Sequence, residues 1–317
     1  MARGGDDGAS ERSVVIANPA ARGGAVGRAW PKLARRLEGA AEGRDLALWR
    51  TEGPRHAVEL AREAARGGVT RVLSLGGDGT HGEVAEGLAT SGVEGVALGP
   101  LPAGTGGDLA RMLPRRSLEA HVRAMLRATP IRIDLGRVSL TSEAGEPLCR
   151  HFVNVASVGL SGLVDRAMTP ALRRLGGKLG FFAATVRVLA RAEPPDLAIE
   201  LDGVPFAEGR FGVVTVANGR FAGGGMRFAP GAALDDGRLD VTAIGGAGMA
   251  SLLAHAPALY RGTIARRGHV LVRNARSGRI VPLRGSEAWI DVDGECPGGG
   301  ALAFEVVPNA IGLVGLA

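Results

Sequence analysis

Aromatic side chains are scarce in this 317-residue chain, at 4% of its residues. Recognition of nucleic acid by stacking bases on aromatic rings is therefore not expected. Cysteine is nearly absent. Cys149 and Cys296 form no CxxC pair, which argues against a disulfide framework and a thiolate zinc site and makes a reducing cytoplasm the expected setting. Lysine occurs only as Lys32 and Lys178, so arginine carries the net charge of +6. The arginines form no dense block, and most read as solvated surface. No apolar run reaches membrane-spanning length, so a membrane would be met from outside. The polar stretch Met1 to Arg12 lacks the apolar core of a leader peptide. GxxxxGK[ST], HExxH and GxSxG are all missing, which excludes a P-loop, a zincin site and a nucleophile elbow.

What is present centres on Arg71 to Thr80. An apolar run, Val72, Leu73 and Leu75, ends in Gly76-Gly77-Asp78-Gly79 and reads as a buried parallel strand. The glycines permit close backbone approach to a ligand. Thr80 reads as the N-cap of a helix through Ala89, with Glu83 completing a capping box. Strand, glycine turn and helix start make an anion site from free amides and the helix dipole. Asp78 inside it would repel bare phosphate and so reads as acting through Mg²⁺. The same spacing also fits an ordinary turn between a strand and a helix.

Strands at Ser13–Ala17, Leu46–Trp49 and Val96–Pro102 alternate with helices at Trp30–Leu37, His56–Ala65 and Leu118–Leu126. This predicts a Rossmann-like parallel α/β domain whose ligand lies at the carboxyl ends of the strands. From Ile131 the pattern changes to short strands between turns, Phe152 to Val158 among them, interrupted by a helical stretch from Leu172 to Arg191. A β-sandwich-like second domain with a cleft between the two is expected. The expected division is a flexible tail over 1–12, a nucleotide domain over 13–136, a β-rich substrate domain over 137–308, and a segment over 309–317 that packs back on the first domain. Gly136 would be the hinge.

Two acidic turns lie in the second half. Pro230 to Asp240 contains Asp235-Asp236-Gly237, which can hold a hard cation with nearby carbonyls or form a plain β-turn. Trp289 to Glu295 contains Asp293-Gly294-Glu295. Strand alternation puts Asp291 and Asp293 on one face, and three close carboxylates can tune one another as a general base. An exposed acidic hairpin end fits the same pattern.

Taken in order, these signals resemble the diacylglycerol kinase catalytic family, which includes bacterial lipid kinases, sphingosine kinases and ceramide kinases. The carriers are Asn18-Pro19 with Gly23-Gly24, Thr51 with His56-Ala57, Gly76 to Thr80, Gly104-Thr105 with Asp108, and Asp134 to Gly136. Asn154, Gly159, Asn218-Gly219, Gly224-Gly225, Pro230 to Asp240 and Asp293 to Glu295 continue the set. GGDG alone is shared with NAD kinases. The resemblance implies ATP between two domains and transfer of its γ-phosphate to a lipid alcohol. Diacylglycerol heads the acceptors, followed by a sphingoid base or ceramide. It implies ATP contacts from Asn18, Pro19, Gly23, Thr51, Gly76, Gly77, Asp78, Gly79, Thr80, Gly104 and Thr105, with Asp134 joining through water. The base would be Glu295 or Asp293, with Asp78 the sphingosine-kinase alternative. A structural Mg²⁺ would sit on Asp236 and the carbonyls of Ala233 and Arg238. In the third loop Gly107 replaces the usual Asn of the family, with loss of an amide.

Leu175, Leu179, Phe181 and Phe182 would line a lipid cleft, with Arg173, Arg174 and Lys178 toward anionic headgroups. The expected partners are a lipid alcohol and the inner, anionic face of a membrane, met peripherally, with no nucleic acid. A homodimer is compatible with all of this. The rival expectations are an NAD kinase-like transfer to a soluble acceptor and a regulator that binds nucleotide or lipid without turnover.

Overall fold

In the first half of the computed structural model, β1 (Ser13–Ala17) pairs in parallel with β2 (Leu46–Arg50) and β3 (Arg71–Gly76), and β3 with β4 (Ala97–Pro102). The structure describes residues 11–103, 107–167, 192–246 and 249–316. Both faces of this layer are covered, so β1 and β3 are buried along their whole length. Val14, Ile16 and Val72 meet α3 (His56–Arg66) and α4 (Asp78–Ala89) through Ala57, Ala61 and Val84. Val15, Ala17, Leu73 and Leu75 face α2 (Trp30–Ala41) and α5 (Leu118–Arg127) through Leu37, Val122 and Met125. Each strand thus divides its side chains between two cores by simple alternation. Helix α1 (Ala21–Arg28) precedes α2 and is broken by positive φ at Arg22, Gly23 and Gly24, where the glycine loop was expected.

The second half buries its main apolar core between alternate residues of its strands, among them Val138, Phe152, Val214, Val241, Ile290, Leu302 and Phe304, with a smaller cluster around Phe228 and Ile264. Its strands are β5 (Ile131–Ser142), β6 (Pro147–Phe152), β7 (Val155–Gly159), β8 (Asp196–Leu201), β9 (Val204–Ala217) and β10 (Leu239–Gly245). They continue as β11 (Val270–Ala275), β12 (Ser277–Pro282), β13 (Trp289–Val292) and β14 (Glu295–Leu313). β14 decides how the halves sit. It pairs with β13, β12 and β5 in the β-rich half, then enters the parallel layer beside β4, with Gly312 opposite Ala97 and Leu313 opposite Leu98.

Three sequence expectations change. The strand predicted from Phe152 to Val158 breaks between β6 and β7, because the amides of Val153, Asn154 and Val155 turn toward the Asp293 carboxylate. Two helices, α6 (Leu160–Ala167) and α7 (Met249–Arg261), interrupt a half read as almost wholly strand. Thr80 is no N-cap, since α4 begins at Asp78 after Gly77. The predicted helix from Leu172 to Arg191 lies outside the described residues.

Gly136 is not a hinge. It lies within β5, paired with Phe152 on β6 and Val306 on β14. A Cβ there would come within 1.9 Å of Cζ of Phe152. Gly136→Ala should therefore lower stability by roughly 1–3 kcal/mol, the usual cost of overpacking. Denaturant unfolding checks it. In a Phe152→Leu background the penalty should shrink, because the clashing ring is gone.

Candidate active site

The strand registers bring the expected nucleotide residues to one edge. Ala17 stands opposite both Arg50 and Leu75, and Gly76 opposite Pro102, so Asn18, Thr51 and Gly77 leave the sheet at one level. Asn18 donates from Nδ2 to Thr80 Oγ1 at 3.1 Å and accepts from the Ala20 amide. Thr80 lies over the end of β3, where a Cβ on Gly76 would sit 2.4 Å from its hydroxyl. Gly104 and Thr105 lie outside the described residues.

Asp78 accepts from the amides of Asp108 at 2.9 Å and Leu109 at 3.0 Å, so it fixes the loop after β4 to the first turn of α4. Burial, with the Asp108 charge second, pushes its carboxyl up to about 6. Asp108 continues the chain of contacts, accepting from Arg111 Nε and from the Gly224 amide of the β-rich half.

The Asp293-Gly294 turn comes to this place from the other side. Both residues have positive φ, 48° and 86°, as a two-residue hairpin of the primed type requires. Val292 pairs with Glu295 across it. Here strand alternation fails: Asp293 does not share the Asp291 face but turns inward, 5% exposed, and accepts from the amides of Val153, Asn154 and Val155. Burial pushes its carboxyl up to about 7 while the three amides oppose the shift. The turn docks on α4 because Gly79 and Gly82 offer no side chains there. A Cβ on Gly82 would lie 2.5 Å from Asp293 Oδ2, and one on Gly79 would lie 3.4 Å from Glu295 Oε1.

Glu295 thus lies over the first turn of α4, in a narrow cleft shared with Arg55, Glu83 and Arg150. Burial, then the Glu83 charge, pushes its carboxyl up to about 7, against the pull of Arg55 and Arg150. Glu83 does not cap its own helix. It accepts from the amides of Arg55 and Ala57 at 3.1 Å each and caps α3. The capping-box spacing pointed to the right residue and the wrong helix.

The remaining candidates serve other contacts. Asp134 is 1% exposed and accepts from the Gly237 amide at 2.6 Å and the Asn309 amide at 2.8 Å, clasping the acidic turn to β14. In that turn Asp236 is exposed and accepts from the Arg238 amide. The Ala233 and Arg238 carbonyls, its expected co-ligands, belong to residues three before it and two after it in the same turn. Asn218 donates to the Asp134 and Val153 carbonyls. The lipid-cleft residues between Leu172 and Leu189 lie outside the described residues.

One buried group escaped the sequence reading. His81 is wholly buried, with Nδ1 2.6 Å from Ser74 Oγ and, among the described residues, no partner at Nε2. Burial pushes it down to about 4, so the ring is neutral. A Cβ on Gly107 would lie 3.9 Å from both that Nε2 and Asp78 Oδ1.

Comparison with known proteins identifies the family. Residues 12–138 match the diacylglycerol kinase catalytic domain, and residues 154–315 match the YegS C-terminal NAD kinase beta sandwich-like domain. The chain belongs to the diacylglycerol kinase family. It is 33% identical over 246 residues to a Xanthomonas axonopodis pv. citri protein named Probable lipid kinase YegS-like, covering 74% of this chain and 72% of that one. It is 28% identical over 254 residues to the diacylglycerol kinase of Bacillus subtilis, covering 79% and 78%. A solved diacylglycerol kinase from Bacillus anthracis str. Sterne superposes with a TM-score of 0.66 at 21% identity over 96% of each chain. An NAD kinase from Archaeoglobus fulgidus solved with ATP shares the fold at a TM-score of 0.52 and 14% identity, covering 96% and 93%.

Two stability measurements test this electrostatic picture. A carboxyl raised from 4.5 to about 7 is held protonated by the fold, so its contribution to stability is full below its unfolded pKa and lost as pH rises through about 7. Glu295→Gln should match the wild type near about pH 4 and exceed it in thermal stability near about pH 8. Gly107→Asn should raise stability by up to about 1 kcal/mol by giving His81 Nε2 an amide partner, whose NH2 or C=O suits either tautomer of the ring. A lower melting temperature would show that contact with Ala110 Cβ, at 3.3 Å, outweighs the new bond.

Proposed function

We propose that this protein transfers the γ-phosphoryl group of ATP to the primary hydroxyl of a membrane lipid alcohol, diacylglycerol foremost, with Glu295 as general base. The observation that carries the reading is the placement of Glu295 Oε1 over Gly79, in the first turn of a helix that opens on a glycine turn. A carboxylate with a pKa near 7 is matched to accept a proton at physiological pH. Its neighbour Asp293 is committed to three amides and serves as a positioning residue. In this account residues 13–136 hold the nucleotide, and residues 137–308 present the base and bind the acceptor.

The amides at the start of α4 have no partners within the helix and face charge that develops on phosphate. Asn18 and Thr80, bonded to each other, fix the wall of that pocket. Mg²⁺ is normally held by one or two carboxylates plus the substrate phosphates, and it neutralises phosphate charge when bound. Asp78 is the carboxylate available, because each of its oxygens accepts one amide and retains a lone pair. The acceptor oxygen bonds to the γ-phosphorus, the bond from that phosphorus to the bridging oxygen breaks, and ADP leaves. Glu295 takes the hydroxyl proton late in the transfer.

The test is incubation with labelled ATP and a panel of acceptors. Label should enter an organic-extractable product with diacylglycerol. Label in NADP, or ATP binding without transfer to any acceptor, would contradict the reading. The kcat/KM for diacylglycerol should rise with pH through about 7, and Glu295→Gln should lose both that limb and roughly 10²–10⁴ in rate. A variant that keeps the wild-type limb would remove Glu295 as base.

A further inference from the structure

Between Asp240 and Glu287 the sequence holds seven arginines and no acidic residue. The fold gathers much of this stretch at one end of the sheet, where β11 pairs with β10 on one side and ends the strand order. Leu271 and Val272 in β11 are 39% and 42% exposed, and Tyr260 at the end of α7 is 55% exposed. Arg266, Arg267 and Arg273 are exposed around them. On the packed elements, Arg273 lies 4.9 Å from the Phe206 ring. The acid on the paired strand, Asp240, stands opposite Asn274 at the far end.

We propose that this edge is the surface by which the protein docks on an anionic bilayer, an inference that rests on the lipid-kinase reading above. Three exposed apolar side chains within an arginine field match a surface with negative headgroups over an apolar interior. Tyrosine favours that boundary, and aliphatic tips enter it. The same charge argues against a second copy as occupant. Pairing this edge with its own image would bring Arg266, Arg267 and Arg273 of both copies together without acids to offset them.

The test is co-sedimentation of the full chain with phosphatidylcholine vesicles, with and without phosphatidylglycerol. The wild type should bind the anionic vesicles preferentially, and binding should weaken at high salt. A basic residue near an anionic surface adds a factor of roughly five in partitioning, so Arg266→Gln with Arg267→Gln should weaken binding about 25-fold. Leu271→Ser with Val272→Ser should weaken it as well, while Arg35→Gln with Arg44→Gln, elsewhere on the surface, should not. Turnover of a water-soluble short-chain diacylglycerol should be unchanged in all three variants, which separates docking from chemistry. Equal binding by wild type and edge variants, or equal binding to neutral and anionic vesicles, would overturn the proposal. So would a dimer in solution that only the edge variants lose.

Discussion

Three backbone amides on one carboxylate hold this site together. The segment from Val153 to Val155 leaves the strand ladder and donates to Asp293, which turns a two-residue hairpin into a buried anchor. An unmatched buried amide costs about 1–3 kcal/mol, so this arrangement tolerates little displacement. The anchor can lie against α4 because Gly82 has no side chain where Asp293 Oδ2 sits. Glu295 follows two residues later, and its position over Gly79 is a consequence. β14 adds a second constraint, since the strand that starts at Glu295 ends within the parallel layer. Glu295 and the Gly76 to Thr80 turn are thus related by hydrogen-bond register as well as by packing.

The electrostatics follow from that closeness. Glu295, half-buried, shares its cleft with the buried Glu83, itself occupied in capping α3. Arg55 and Arg150 offset this in part, which leaves a carboxyl poised near 7 rather than locked in its neutral form. Asp78 and Asp108 do comparable work on the other wall, each accepting amides from a neighbouring loop. The acids that hold the loops and the acid proposed to receive a proton belong to one network. Substitutions within it are expected to couple.

Much of this was legible in the sequence where local rules and tertiary packing agree. The strands of the parallel layer and the helices α2, α3 and α5 follow from periodicity, because each faces a single kind of environment. The Gly76 to Thr80 turn was legible because its glycines and its acid have few other uses at the end of a buried strand. Misreadings arose where a side chain serves a distant element. Glu83 has capping-box spacing but caps another helix, and Asp293 breaks alternation because its backbone is left-handed. Gly136 resembled a hinge but makes room for the Phe152 ring. His81 gave no signal, since its unpartnered nitrogen is visible only once Gly107 is placed beside it.

The most direct measurement is a crystal structure with a non-hydrolysable ATP analogue and a short-chain diacylglycerol. This account predicts the γ-phosphate against the amides at the start of α4 and the acceptor hydroxyl within hydrogen-bond reach of Glu295. Nucleotide bound away from Gly77, or an acceptor hydroxyl facing a group other than Glu295, would contradict it.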